Sequence, residues 1–235
     1  MKFYNLLLAG LVLVVSSCSN EETSSNEDTK TESTKTELQS AIVGDLGIPD
    51  GIGDLGIPDG KYTLTKEKQT ISWEATKITG STHSGIIKAV KGKFKVEDGS
   101  ISFGMLNFVM NSFEVTDITG EDKANFEGHL KSEDFLDIEK FPVAKLVMNG
   151  SSIDKNGKMN LSCSFNFHGV VVDYIVPFTV EKMKMKGIYM YQINGKFIID
   201  RTKHNITYGS GSVFDDLGDR VINDDVKIGF AFTAL

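Results

Sequence analysis

From Lys61 to the C-terminus, apolar and polar residues alternate with a period of two, the mark of strands that bury one face. Ile71, Trp73 and Ala75 alternate with Ser72, Glu74 and Thr76; Phe94 and Val96 stand between lysines, and Ile101 and Phe103 between serines, before the phase changes near Gly104 and Met105. Phe108 and Met110 then point opposite to Val109 and Asn111. Further on, Leu161, Cys163, Phe165 and Phe167 lead into a turn at His168-Gly169, from which Tyr174, Val176, Phe178 and Val180 return. Tyr189, Tyr191 and Ile193, then Phe197 and Ile199, and finally Val226, Ile228, Phe230 and Phe232 complete the set. The pattern predicts an antiparallel sheet with one apolar face. Asp122 to Lys140 breaks it: Phe126, Leu130, Phe135, Leu136 and Ile138 are spaced among charges, and Pro142 ends the stretch. That spacing predicts a short helix with a second turn or helix after Ser132. An all-β chain of about eight strands with one small helical insertion predicts a barrel, since closure removes exposed sheet edges.

The N-terminus follows another logic. Residues 1–17 carry one charge, Lys2, then an apolar run from Phe3 to Val15, and Ser16-Ser17-Cys18 follows. This is a bacterial export signal, too short for the ~20 apolar residues of a membrane-spanning helix. Val15-Ser16-Ser17-Cys18 resembles a lipobox, which makes Cys18 the site of lipid attachment; the alternative, an ordinary secretory peptide, would leave Cys18 as a free thiol in an oxidising compartment. Residues 18–59 then read as a tether. Ser19 to Ser40 is rich in Ser, Thr, Asn, Glu, Asp and Lys, and Gly44-Asp-Leu-Gly-Ile-Pro-Asp50 recurs as Gly53-Asp-Leu-Gly-Ile-Pro-Asp59. Two copies are too few for a solenoid. Gly51-Ile-Gly-Asp-Leu-Gly56 matches GxGxxG but lacks the strand and helix of a dinucleotide site, and nine-residue calcium repeats need several stacked turns and lack proline. The folded domain is assigned to 60–235.

Composition narrows the function classes. The 32 acidic against 25 basic residues leave 32 against 24 once Lys2 is removed with the signal, a balance of -8 that offers no footprint for nucleic acid. Cys163 then stands alone in an apolar run and reads as a core residue. No GxSxG elbow, Walker loop, HExxH or EF-hand loop is present, and His83, His129, His168 and His204 share no close ligand spacing. No catalytic residue, metal or cofactor is implied. Asp215-Asp216 and Asp224-Asp225 read as solvated pairs, and His129 as a ring that packs and bonds locally. Fifteen Phe and eight Met supply an interior that is either a solid core or the lining of an apolar cavity.

At this point a family resemblance enters. Trp73-x-x-x-Lys77-x-x-Gly80, His83-x-Gly85, His129-Leu-Lys-Ser-Glu-Asp-Phe-Leu-Asp137 and Phe141-Pro142 resemble the YceI-like family of exported lipid-binding proteins. Ile199-Asp-Arg-Thr202, Ile206-Thr-Tyr-Gly-Ser-Gly-Ser212, Phe214, Leu217-Gly218 and Ile222-x-Asp224 are similar to the form of that family found in Bacteroidetes lipoproteins. The resemblance covers about Gly60 to Leu235. It implies an extended lipocalin-like antiparallel barrel whose pore holds a polyisoprenoid, a quinone-like lipid or another long-chain amphiphile, and no enzymatic activity. Three positions depart from the family pattern: His204-Asn205 replaces an aromatic and a glycine, and Leu136 replaces a second Phe. With the strand parity it nominates Trp73, Phe94, Phe108, Met110, Phe165 and Phe178 as cavity wall, and Lys77, His83 and Arg201 as headgroup contacts, pairing with nearby acids such as Asp200 being their alternative role. The expected partners are a long-chain isoprenoid and, through acylated Cys18, a membrane of the bacterial cell envelope, on its periplasmic side or at the cell surface. An enzyme acting on a lipid or quinone, and a structural lipoprotein with a solid core, are the competing readings.

Overall fold

The computed structural model describes residues 54–65, 69–88 and 90–235; the signal segment, Cys18 and the first repeat copy lie outside them. Among the described residues the alternating segments form β1 (Gly60–Thr63), β2 (Thr70–Lys77), β3 (Thr82–Ile87), β4 (Val90–Glu97), β5 (Ser100–Val109), β6 (Phe113–Val115), β7 (Val143–Ile153), β8 (Met159–Phe167), β9 (Val170–Met185), β10 (Ile188–Asp200) and β11 (Ile222–Ala234), with one helix, α1 (Gly120–Lys131). The strands form a single curled antiparallel sheet of eleven in the order β1-β4-β5-β7-β8-β9-β10-β11-β2-β3-β6. The expected count of about eight is therefore corrected. Three passes are each divided in two: β1 from β2 between Thr63 and Thr70, β3 from β4 between Ile87 and Val90, and β5 from β6 by a 3-10 turn at Met110–Ser112. Leu64 bridges Ala234 at the first of these gaps. There the buried Gln69 amide donates to Thr65 O and Thr233 O (2.9 and 3.1 Å) and accepts from Thr233 N (3.3 Å).

Turn chemistry fixes the register. The β4–β5, β8–β9 and β9–β10 hairpins turn on Asp98-Gly99, His168-Gly169 and Lys186-Gly187, all six residues at positive φ. Two-residue loops of that hand match the twist of the flanking strands, and glycine at the second position removes most of the steric cost. Between Ile101 and Gly104 the inward phase shifts one residue sooner than the sequence pattern suggested, because β4 and β5 change register at Lys95/Val96; Phe103 is consequently 49% exposed.

Helix α1 buries no residue completely. It starts with Glu121 and Asp122 and ends with His129 and Lys131, the polarity that suits the helix dipole. Polar contacts dock it on β6: Glu127 Oε1 accepts from Val115 N at 2.8 Å, and Lys123 reaches Glu114 at 2.8 Å. Phe126 packs on the His83 ring at 4.4 Å between centroids.

The tether boundary also moves. Leu55 and Ile57 of the second repeat copy are 5% and 2% exposed and belong to the core, so the segment joining the fold begins before Gly60. Leu55 N donates to Gly99 O (2.8 Å), Tyr62 O–H donates to Pro58 O (2.7 Å), and the Asp59 carboxylate accepts from Asp98 N and Gly99 N (3.2 Å each). Glycine, proline and aspartate make this stretch read as linker, yet its two large apolar side chains find a seat at the β4–β5 turn. A chain starting at Lys61 is expected to melt several degrees below one starting at Gly53. Burial of the two side chains contributes a gross ~3–5 kcal/mol, offset in part by the entropy of ordering the segment. Equal melting temperatures would show that the segment contributes nothing.

Candidate functional site

Inward side chains fill the sheet unevenly. At the end reached by β1 and the repeat, Tyr62 stacks on Phe94 (5.2 Å) and meets Tyr191 edge-on (5.6 Å), and Phe94 lies against Phe232 (6.5 Å). That end is solid. Toward α1, the same parity of positions surrounds an apolar cavity of about 130 Å³, roughly tenfold what one water molecule requires. Leu106 and Phe108 of β5, Ala144, Leu146 and Met148 of β7, and Leu161, Phe165 and Phe167 of β8 line it along one run of the sheet. Phe197 and Ile199 of β10, alternate residues of β11 from Val226 to Phe232, and Ile71, Trp73 and Ala75 of β2 line it along the next. Leu130, Phe135 and Leu136, from the end of α1 and the turn after it, cover the cavity at the helix end. Among the described residues Arg201 is the only charged one on the wall.

The Trp73 ring stacks on Phe113 at 4.8 Å and lies across β3, where Gly85 is its register partner. A Cβ at position 85 would stand 2.6 Å from the indole, which explains physically why the His-x-Gly element ends in glycine. Among the described residues the buried Trp73 Nε1 has no hydrogen-bond partner. Phe165 sits at the centre of an aromatic group, stacked on Phe167 at 5.3 Å and edge-on to Phe108 and Phe197 at 6.2 and 6.4 Å.

Of the six proposed wall residues, Trp73, Phe108, Met110 and Phe165 line this cavity, whereas Phe94 and Phe178 do not. Phe94 belongs to the aromatic plug. Phe178 points inward, but at the level where β8 begins, so it packs beyond the cavity. Parity states which face a side chain takes; position along the strand decides whether it meets space or another ring. The assignment missed the contributions of Phe135 and Leu136, although both stand among the spaced apolar residues of the helical segment.

Of the three headgroup candidates, only Arg201 lines the cavity. Arg201 is 4% exposed and spends all five N–H groups inside the protein. Its Nε donates to Asn223 O (3.1 Å), Nη1 to Ile206 O and Tyr208 O (2.9 Å each), and Nη2 to Ile222 O (3.0 Å) and Asp224 Oδ1 (3.3 Å). It clamps the 206–224 loop to the end of β10. Asp224, read from sequence as part of a solvated pair, is its counter-ion and also accepts from Ser212 Oγ at 2.5 Å. His83 bonds through Nδ1 to Asp117 at 2.8 Å and does not line the cavity. Burial would raise the Asp117 carboxyl, but bonds from Ser84 N and His83 outweigh it and hold it below the ordinary value. Lys77 stands at the β2–β3 turn, also off the wall.

His204, where the family pattern has an aromatic residue, is completely buried behind Phe165 and Phe167. Its Nδ1 lies 3.3 Å from both Phe167 O and Val170 O and so carries the proton, leaving Nε2 to accept from Tyr174 O–H at 2.9 Å. Asn205 takes a left-handed φ of 60°, as the glycine it replaces would. Cys163, buried and free, has its thiol pushed up to about 12 by burial and then by Asp173. His129 bonds Asp134 at 3.0 Å and packs edge-on to Phe135 and Tyr208, a local structural role.

Burial holds His204 and His168 below the ordinary histidine pKa, so both are neutral in the fold at pH 7 and gain a proton more readily when unfolded. Stability is therefore complete above about pH 6.5 and falls as pH drops below it, by up to ~1.4 kcal/mol per pH unit for each such proton. Thermal melts from pH 8 to 5 check this: His204→Asn is expected to be less stable at pH 8 and to show a shallower acid slope, whereas an unchanged slope would exclude His204 as a source of the pH dependence.

Comparison with known proteins agrees with this architecture. Residues 62–234 match the YceI-like domain family. A UPF0312 protein of Shewanella denitrificans is 32% identical over 84 residues, covering 34% of this chain and 44% of the relative, less than half of its length. Burkholderia cenocepacia BcnA superposes with a TM-score of 0.59 at 18% identity, over 73% of this chain and 99% of its own. A polyisoprenoid-binding domain of Saccharophagus degradans implicated in plant cell wall breakdown superposes with a TM-score of 0.52 at 14% identity, over 74% and 97% of the two chains. The curled sheet, its helical insertion and the matched residues together establish that the chain belongs to the YceI-like family.

Proposed function

We propose that this protein binds, stores or transfers a long-chain isoprenoid-type lipid in the cavity between the sheet and α1, and that acylated Cys18 tethers it to a bacterial envelope membrane. The observation that carries the reading is the chemistry of the wall: apolar from every contributing strand, with its one guanidinium fully engaged elsewhere. Such a space offers an isoprenoid chain burial at roughly 25 cal/mol per Å² and, apart from the Trp73 indole N–H, offers a polar substrate no partner. The Saccharophagus neighbour, described as polyisoprenoid-binding, supports the ligand class by likeness of fold. The free indole N–H of Trp73 suits an acceptor oxygen such as that of a quinone. The lipobox-like residues before Cys18 support the tether.

Trp73 is the chain's single tryptophan and stands on the wall, so its fluorescence reports occupancy directly. Titration of lipid-stripped protein with a quinone bearing a long isoprenoid tail is expected to quench that emission with saturation near one equivalent. The same quinone without the tail is expected to quench only in proportion to its bulk concentration. Equal behaviour of the two would contradict the proposal.

A further inference from the structure

One exposed element takes no part in the cavity or in its cover. β9 has its last β8 partner at Phe178, paired with Met159, and β10 first meets β11 at Tyr191, paired with Ala234. Between those points the β9–β10 hairpin pairs only with itself and projects beyond the sheet to the Lys186-Gly187 turn. Its tip exposes large apolar side chains in register, Met185 opposite Ile188, at 46% and 58% exposure. Tyr189, half exposed, faces Lys184, and the Lys182 and Lys184 ammonium groups stand 4.3 and 5.1 Å above its ring.

We propose that this hairpin docks on an anionic lipid surface. Three lysines, Lys182, Lys184 and Lys186, gather against the single acid Glu181 in a chain whose formal charge is -7. Among the described residues none of the three forms an ion pair. Exposed Met and Ile at a tip bring a solvation cost that a lipid interface removes, a tyrosine suits the headgroup level, and lysines on flexible stems reach phosphates from there. Anionic lipid headgroups attract such a cluster and uncharged ones do not. The ribbon's two edges carry unpaired N–H and C=O groups, which limits its depth to the interface, since the hydrocarbon interior would leave them unsatisfied. The hairpin also springs from the end of the sheet where the N-terminal chain enters, Tyr191 at its base touching Tyr62 of β1. The acyl anchor proposed at Cys18 and a basic, apolar tip form the pair of weak signals that together hold a protein on a membrane. The proposal is independent of what fills the cavity.

The test places an environment-sensitive nitrobenzoxadiazole label at Ile188→Cys in the full chain, reconstituted on vesicles of phosphatidylcholine alone or mixed with phosphatidylglycerol. A second chain carries the label at Val171→Cys, an exposed position at the opposite end of β9. Expected are a blue shift and brightening at 188 on the anionic vesicles only, reversed by salt and lost in K182E/K184E/K186E, with 171 water-like throughout. Water-like emission at 188 on anionic vesicles, or the same shift on phosphatidylcholine alone, would overturn the proposal. So would a shift that survives reversal of the three charges, which would indicate a purely apolar contact or a protein partner. Thermal melts confirm that the reversed variant is folded, as expected for exposed hairpin side chains.

Discussion

Replacement of Arg201 by alanine is expected to lower stability by ~3–5 kcal/mol, the cost of leaving a buried ion pair and its acceptors without their partner. Four carbonyls and the Asp224 carboxylate lose their donors at once. At roughly 2–4 °C per kcal/mol for a domain of this size, the melting temperature drops by about 6–20 °C. Arg201→Lys keeps the charge but replaces five planar donors by three on a point charge, so it recovers only part of the loss. A headgroup-binding arginine behaves otherwise: its removal leaves the melting temperature in place and releases the lipid. Thermal unfolding and bound lipid, measured on the same preparation, separate the two roles.

Filling the cavity is expected to give the largest functional effect. Ala144 is buried on β7, in register with Phe108, and its side chain faces the cavity. Ala144→Phe places a ring where the lipid chain is proposed to run, and bound lipid is expected to fall at least tenfold. Overpacking costs about 1–3 kcal/mol in a tight core, and less where space already exists, so the protein stays folded. The exterior change Val171→Phe serves as control and is expected to leave lipid content unchanged. Phe165→Asn is complementary: it keeps room for the chain but sets an amide on an apolar wall, at ~1–3 kcal/mol for the unsatisfied group. If Ala144→Phe unfolds the protein and the wild type carries no lipid, the interior is a solid core and the cavity has no ligand role.

Much of this architecture was legible in the sequence, and the failures have physical causes. Period-two alternation identified the strands, and His168-Gly169 announced its hairpin because glycine at that position relieves a left-handed backbone. The spaced apolar residues between Asp122 and Lys140 announced the helical insertion that covers the cavity. Strand breaks were not legible: the polar run after Leu64 and the stretch Met110–Ser112 interrupt the alternation, but an interruption in sequence does not tell a division within one pass from a turn between two passes. Level along the strand was not legible either, so Phe94 and Phe178 shared the parity of Phe108 and Phe165 without sharing their surroundings. The role of Arg201 depends on carbonyls of Ile206, Tyr208, Ile222 and Asn223, and a carbonyl leaves no trace in residue identity. Leu55 and Ile57 looked like linker because glycine, proline and aspartate surround them, and only the seat at the β4–β5 turn reveals their use.

The central claim is that the space enclosed by Trp73, Phe108, Leu146 and Phe165 holds a long apolar chain. Mass spectrometry of the native protein purified from its source cells, followed by organic extraction of the same sample, tests it most directly. The account predicts a complex heavier by one long-chain lipid than the same polypeptide measured after denaturation, and recovery of that lipid in near-stoichiometric amount, with isoprene spacing in its fragments. A native mass equal to that of the denatured polypeptide, with nothing but bulk phospholipid in the extract, would contradict it.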